Sequence, residues 1–382
     1  MVLCRVRWYR VYLYCNTLQK WRIGMLNSIK VAKLREKMKA LDLDGFLVTS
    51  KENRQYLTGF TGTFGWVLVT QRDVYLMTDF RYVEQAQQQA HGCKIVRFQH
   101  YEPVITLRMV MEELDVITLG VESDRMTVEE FELLAHHVRR KAITPLKGFI
   151  EELRRVKSED EIALIAKAEA ISDEAFSHVI KLIKPGMTEL EIAMELEFQM
   201  RRAGASGVSF DTIVASGKRS SMPHGVATDK KVEIGDFITM DYGCIYQGYC
   251  SDITRTIALG QVDEKQETVY NLVRKAQEEA LAAIKAGVTG KEVHMAAQNV
   301  FQDAGYGPFF GHGLGHSVGL EIHEEPRFSP KAEEVMQENM VITVEPGLYL
   351  PNWGGVRIED LVVIKKDGYI NLTHSPKELI IL

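Results

Sequence analysis

Phe237-Ile-Thr-Met-Asp-Tyr-Gly243 and Val341-Ile-Thr-Val-Glu-Pro-Gly347 are the two stretches on which the fold turns. In each, a short apolar strand runs into a carboxylate, and a glycine follows two positions later. The likeness extends upstream, where Ile183-Lys-Pro-Gly-Met-Thr-Glu-Leu-Glu-Ile192 resembles Ile284-Lys-Ala-Gly-Val-Thr-Gly-Lys-Glu-Val293. Each of these segments follows one helical pattern and opens another. The offsets are 101 residues (186 to 287) and 104 residues (241 to 345). Agreement in both order and spacing outweighs chance similarity, so the second half of the chain reads as an internal duplication. Such a duplication places one strand-borne carboxylate, Asp241 or Glu345, at equivalent points of two similar halves.

Around the first of these lies Asp241-Tyr-Gly-Cys-Ile-Tyr-Gln-Gly-Tyr-Cys-Ser-Asp252, with apolar Ile253–Leu259 beyond it. This reads as a β-hairpin, and Gly248 can supply positive φ. A turn centred on Tyr246-Gln247 sets Asp241 directly opposite Asp252, with their Cβ atoms about 5 Å apart on one face. Two carboxylates that close need a shared proton or a cation. A solvent-facing aspartate pair is the plain alternative, but further groups converge. Gly311-His-Gly-Leu-Gly-His316 brings His312 and His316 on a glycine-rich segment, with His323 seven residues on. Glu345 ends its strand before Pro346-Gly347. In Gly355-Val-Arg-Ile-Glu-Asp-Leu-Val-Val363 the period of two puts Arg357 and Glu359 on one face and Asp360 on the other. Four carboxylates and one imidazole form a hard, oxygen-rich set. It suits two divalent ions about 3.5–4 Å apart, able to share a hydroxide, polarise a carbonyl and receive a free α-amine. Mn2+ is the best match, with Co2+ or Zn2+ as alternatives.

Working outward, residues 28–149 alternate helix and strand. A helix is expected from Ser28 to about Leu41, with Ile29, Leu34, Met38 and Leu41 at helical spacing. Strands Gly45–Thr49, Trp66–Thr70 and Val74–Thr78 follow, then a Gln- and Ala-rich helix Phe80–Ala90 and strand Lys94–Phe98. That pattern predicts an α/β domain with a mostly buried sheet. Near residue 150 the texture changes, and Ser158-Glu-Asp-Glu161 reads as the capped start of a long helix. The division expected is therefore 28–149 and 150–382. Residues 1–27 fall outside both. Arg5, Arg7, Arg10, Lys20 and Arg22 lie among tryptophan and tyrosine with no acidic partner, and no signal-peptide pattern is present. A non-native extension ahead of Met25 is the preferred account, and a basic membrane-surface segment the other.

Composition narrows the classes. Of 382 residues, 46% are apolar, enough for two domains, and the formal net charge of −6 argues against nucleic acid or anionic membrane as a partner. Five cysteines without a CxxC pair point to reduced thiols and the cytosol. Cys244 and Cys250, inside the hairpin, are expected to pack rather than react. Tyr56, Arg81 and Tyr82 are expected to have ordinary packing and surface roles.

These motifs together resemble the pita-bread metallopeptidases, in the branch of Xaa-Pro aminopeptidase (aminopeptidase P) and Xaa-Pro dipeptidase (prolidase). The resemblance runs from about Ser28 to the C-terminus. It rests on Met222-Pro-His-Gly225, the Asp241/Asp252 hairpin, His312-Gly-Leu-Gly-His316, His323-Glu-Glu-Pro326, Val344-Glu-Pro-Gly347 and Val356-Arg-Ile-Glu-Asp360. It implies an α+β fold: a pita-bread catalytic domain with an internal pseudo-two-fold, preceded by a smaller α/β creatinase-type domain that in relatives helps form a homodimer and can cover the active-site mouth. It implies five metal ligands, Asp241, Asp252, His316, Glu345 and Glu359, of which Asp252 and Glu359 bridge two ions. On this pattern Asp241 holds one ion, and His316 and Glu345 hold the other. Glu345 would also exchange a proton, His323 would stabilise the tetrahedral intermediate, and His224, His312 and Arg357 would serve the substrate pocket, His224 with a catalytic part as well. The expected activity is hydrolysis of the N-terminal bond of peptides with proline second, aminopeptidase P-like and in part prolidase-like. Its alternatives are a methionine-aminopeptidase-like exopeptidase and a non-catalytic binding module.

Overall fold

The structure is a computed structural model that describes residues 27–98, 102–138 and 142–382. The reading of residues 1–24 as an extension lies outside the described residues. The chain divides into two compact units between Leu153 and Arg154. Among the described residues, no helix is long and apolar enough to cross a membrane.

The first unit is built on a six-stranded mixed sheet. Its order is Lys94–Arg97, Val74–Thr78, Trp66–Thr70, Gly45–Val48, Thr118–Glu122 and Ala142–Leu146. Gly45–Val48 pairs antiparallel with Trp66–Thr70 on one side and parallel with Thr118–Glu122 on the other, and its side chains are buried throughout. In the helix over residues 27–40 the buried apolar positions are Val31, Leu34 and Met38, whereas Ile29 and Leu41 are half exposed. Ile29 and Leu41 were expected on the apolar face. The true stripe passes through Val31, which keeps the spacing of three and four residues that a 3.6-residue period requires.

Two further differences have physical causes. Helix Lys51–Thr58 carries little apolar periodicity because its inward face mixes polar Asn53, Arg54 and Thr58 with Tyr56 and Leu57. Asn53 Nδ2 donates to Glu122 Oε1 at 2.7 Å, and Arg54 donates to the carbonyls of Gly62 and Gly65 at 2.7 and 2.6 Å. The glutamine-rich helix starts at Val83 rather than Phe80. Asp79 accepts the Arg81 N–H at 2.9 Å and holds those residues in a turn. Tyr56 is buried, its hydroxyl donating to Leu153 O at 3.0 Å.

The second unit contains the duplication. Helices Glu159–Val179 and Glu189–Arg202 lead to the antiparallel strands Ile213–Ser216, Phe237–Tyr242 and Ile253–Ala258. Helices Glu264–Ala283 and Gly290–Asp303 lead to a five-stranded antiparallel sheet that includes Val341–Val344 and Asp360–Lys365. The halves agree in detail. Thr188 with Glu191 and Thr289 with Glu292 form capping boxes, and Gly186 and Gly287 have φ of 91° and 93° just before them. Each of these glycines donates its N–H at 2.9 Å, to Val232 O and Met336 O respectively. Each half also buries its own core, one around Ile171, Leu196 and Met240, the other around Val273, Phe301 and Ile342. Truncating any of these large side chains to alanine costs about 2–5 kcal/mol.

The hairpin register corrects one expectation. Tyr246 pairs with Tyr249, and the loop is Gln247-Gly248 with φ of 50° and 92°. A two-residue type I′ loop needs positive φ at both positions. Centring it on Gln247-Gly248 gives one of them to glycine, whereas the expected centre would force Tyr246 into that region. Asp241 therefore sits opposite Thr254, not Asp252. Asp252 is the diagonal neighbour, and the period of two still keeps both aspartates on one face.

Candidate metal centre

The carboxylates enter one cavity from both halves of the duplication. Asp241 comes from strand Phe237–Tyr242, Asp252 immediately precedes strand Ile253–Ala258, Glu345 follows strand Val341–Val344, and Glu359 immediately precedes strand Asp360–Lys365. Oxygens of Asp241, Asp252 and Glu359 lie within 4.8 Å of one another. His316, on strand Gly315–Ser317, brings its Nε2 to 3.5 Å from Asp252 Oδ2 and 3.6 Å from Glu345 Oε1. All five side chains line a cavity of about 660 Å3, and His224, His312, His323 and Arg357 stand on its walls.

Hydrogen bonds hold each donor in place and leave specific atoms over. Thr254 Oγ1 donates to Glu359 Oε2 at 2.7 Å, and Arg357 Nη2 donates to Asp241 Oδ2 at 2.6 Å. Glu359 Oε1 and Asp241 Oδ1 are buried without a hydrogen-bond partner. The Asp252 backbone N–H donates to Glu169 Oε2 at 3.2 Å, and Thr343 Oγ1 lies 3.4 Å from Glu345 Oε1. His316 Nδ1 lies 3.2 Å from the carbonyl oxygen of Ser317, which can only accept. That nitrogen therefore carries the proton, and Nε2 presents a lone pair to the carboxylates.

Electrostatics express the crowding. Burial first, then neighbouring Glu359, Asp241 and Glu345, push the Asp252 carboxyl well above its usual value. Glu359 is raised well above its own by burial, with Glu345 and Asp241 adding to it. Burial lifts Glu345 to about 8. His316 is driven the other way, to about 3, by burial and by His323, so it stays neutral and offers no compensating charge. Four carboxyls with one guanidinium, Arg357, among them cannot all ionise without a further cation. The two partnerless oxygens, the neutral imidazole and the hard donor set fit divalent metal.

Around this cluster His312 Nδ1 donates to Gly313 O at 2.7 Å, and its Nε2 accepts from the Tyr349 hydroxyl at 3.0 Å. Arg357 Nη1 donates to that same hydroxyl at 2.8 Å, so Tyr349 links two of the expected pocket residues. The His323 ring packs edge-on to His316 with centroids 4.5 Å apart, and His323 and His224 are both exposed to the cavity. Asp360 faces away, paired with Arg255 at 2.8 Å and Lys377 at 2.9 Å. Cys244 and Cys250 are buried, and burial raises the Cys244 thiol to about 11, which leaves it unreactive.

Sequence reasoning missed Tyr349, Thr254, Thr343 and Glu169. For Tyr349 a signal existed: Leu348 and Leu350 are core residues, so alternation sends Tyr349 to the opposite face. Glu169 sits in a long amphipathic helix and gave no signal of its own.

Comparison with known proteins agrees with this architecture. Residues 30–156 match the creatinase/prolidase N-terminal domain, and residues 163–366 match metallopeptidase family M24. An Xaa-Pro dipeptidase of Pyrococcus horikoshii is 39% identical over 352 residues, 92% of this chain and 98% of that protein. The solved structure of an Xaa-Pro dipeptidase from Bacillus anthracis superposes with a TM-score of 0.91 at 43% identity, covering 93% of this chain and all of that one. An X-Pro aminopeptidase from Thermotoga maritima gives 0.86 at 39% identity, over 91% of this chain and 100% of the other. By its sequence and its fold, the chain belongs to metallopeptidase family M24.

Proposed function

We propose that this chain hydrolyses the Xaa-Pro bond at the N-terminus of short peptides, using two divalent ions held by Asp241, Asp252, His316, Glu345 and Glu359. As a member of a metallopeptidase family it uses divalent metal. The observation that carries the site is the pair of buried oxygens, Asp241 Oδ1 and Glu359 Oε1, that lack any hydrogen-bond partner within a cluster of four carboxylates. On this reading Asp252 and Glu359 would be shared by both ions, Asp241 would serve one, and His316 with Glu345 would serve the other. Mn2+ is the proposed metal, since oxygen donors dominate and thiolates are absent from the cavity wall.

When bound, the ions supply an activated water and polarise the scissile carbonyl. The chain's own groups do the rest. Glu345 takes a proton from the attacking water and passes it to the departing prolyl nitrogen. His323, exposed beside His316, donates a hydrogen bond to the carbonyl oxygen as it gains charge. Arg357 and Tyr349 hold His312 in one tautomer on the cavity wall. Phe210, Ile213 and Phe328 give that wall an apolar surface suited to a prolyl ring.

The relatives support Xaa-Pro cleavage and give no support to a methionine-aminopeptidase-like or a non-catalytic reading. Between dipeptides and longer peptides we favour dipeptides, because Arg327, paired with Glu325 at 3.1 Å, lines the cavity and supplies a cation for a substrate carboxylate. A homodimer, which the family resemblance implies, in the cytosol, to which the cysteine usage points, completes the reading. The test is a panel of Xaa-Pro, Xaa-Pro-Xaa and Met-Ala peptides assayed with chelator and with Mn2+. Cleavage confined to proline-second peptides and dependent on added metal is expected. Equal turnover of Met-Ala, or turnover in excess chelator, would refute it.

A further inference from the structure

The duplication supplies an internal control for one buried charge that the mechanism does not use. Glu189 is the first residue of helix Glu189–Arg202 and is fully buried. It takes no part in the helix cap, which Thr188 and Glu191 form between themselves. Its counterpart at the 101-residue offset is Gly290, the first residue of helix Gly290–Asp303, behind the same capping box. There a Cβ would meet Arg327 O at 2.3 Å, so the second half fills that place with backbone. A carboxylate required by the helix start would be required twice. It is present once, and its partners explain why.

All of them belong to the segment 216–228. Glu189 Oε1 accepts from the Ser216 N–H at 2.8 Å and the Ser216 hydroxyl at 2.8 Å. Oε2 accepts from the Thr228 N–H at 3.1 Å, the Thr228 hydroxyl at 2.8 Å and the Arg219 guanidinium. Arg219 Nη2 then donates to Val226 O at 2.9 Å. One carboxylate thus pins both ends of the segment and, through Arg219, its interior. The apex carries Pro223, His224 and Val226, which line the cavity. Arg357 Nη1 reaches Pro223 O at 3.3 Å, and the Gly355 N–H donates to Ser220 Oγ at 2.8 Å, so the segment also abuts the strand that carries Arg357.

We propose that Glu189 is a positioning residue for His224: it fixes the 216–228 segment so that the imidazole stands at a set place on the substrate wall. The proposal rests on the Xaa-Pro peptidase reading for its kinetic consequence and on geometry alone for its structural one. A charged acceptor of two backbone N–H groups gives up strong bonds when neutralised. Glu189→Gln should therefore loosen residues 217–227 while the five carboxylate and imidazole donors stay where they are.

Two measurements on the full chain test this. Hydrogen–deuterium exchange, with and without Mn2+, should show faster uptake in Glu189→Gln confined to peptides covering 217–227. Kinetics on an Xaa-Pro dipeptide should show KM raised roughly tenfold with bound metal per chain unchanged. In a His224→Ala background the same change should add less than about twofold. Thr228→Val, which removes one hydroxyl donor, should shift both readouts in the same direction by less, and it decides the matter if Glu189→Gln does not fold. Unchanged exchange in 217–227, or a full KM effect that persists without His224, would overturn the proposal. If the wild-type protein cleaves no Xaa-Pro peptide, the peptidase reading fails while the exchange experiment still judges Glu189.

Discussion

Arg357 and Asp241 meet inside the cavity, with Nη2 2.6 Å from Oδ2, the arginine buried and the aspartate partly so. Asp241 Oδ1, on the same carboxylate, has no hydrogen-bond partner. One oxygen is thus tied to a permanent cation of the protein, and the other is left for a cation from outside. Arg357 also donates to Tyr349 and Pro223, so a single guanidinium ties the carboxylate cluster to the substrate wall.

Breaking that pair leaves a charge buried without a partner. Arg357→Met should lower the unfolding free energy of the metal-free protein by about 3–5 kcal/mol in urea titrations. A loss below about 1 kcal/mol would mean that Asp241 is solvated some other way.

Asp252 should behave in the opposite sense. Its carboxyl is raised by burial and by four acidic neighbours, so it is a source of strain when no cation is present. Asp252→Asn should stabilise the chelator-treated protein by about 0.5–2 kcal/mol, abolish turnover and remove the rise in Tm on adding Mn2+. Glu359→Gln should do the same. Near-normal activity in either variant counts against the two-metal assignment.

His323 differs from both because it stands beside the cluster rather than inside it. His323→Ala should reduce kcat by about 10²-fold and leave bound metal, measured by elemental analysis, at the wild-type level. Loss of metal would instead make His323 a ligand.

Acid stability should report a different group, Glu324. Burial works to raise this carboxyl, but Lys157 at 3.3 Å and Arg154 beside it bring it below its usual 4.5. A carboxylate whose folded-state value is depressed stabilises the fold above its unfolded value, and that contribution is lost as pH falls through the folded one. Denaturation midpoints taken from pH 7 down to pH 3 should therefore drop more steeply below about pH 4.5 in the wild type than in Glu324→Gln. Parallel curves would show that the pair contributes nothing through titration.

How much of this was legible depended on the range of each interaction. Local signals read well: the capped helix start at Ser158, the helix openings near Thr188 and Thr289, the alternation that separates Glu359 from Asp360, and the repeated strand ends at Asp241 and Glu345. Helix Lys51–Thr58 escaped because much of its buried face is polar and is satisfied by residues such as Glu122, far along the chain. The hairpin turn was misplaced by one residue, and the pairing with it by two, because the choice lay in left-handed backbone at Gln247 and Gly248, which a count of intervening residues does not resolve.

What the sequence determined by itself was chemistry and repetition: which residues carry charge, that two halves share a plan, and that their strand ends bear carboxylates. Periodicity and capping are properties of neighbours in the chain, so they can be read without a fold. Only the tertiary structure decided that Asp241 lies opposite Thr254, that Tyr349 joins His312 to Arg357, and that Glu189 holds both ends of the segment bearing His224. Those relations join residues brought together by packing, and burial and register, which no stretch of sequence contains, set them.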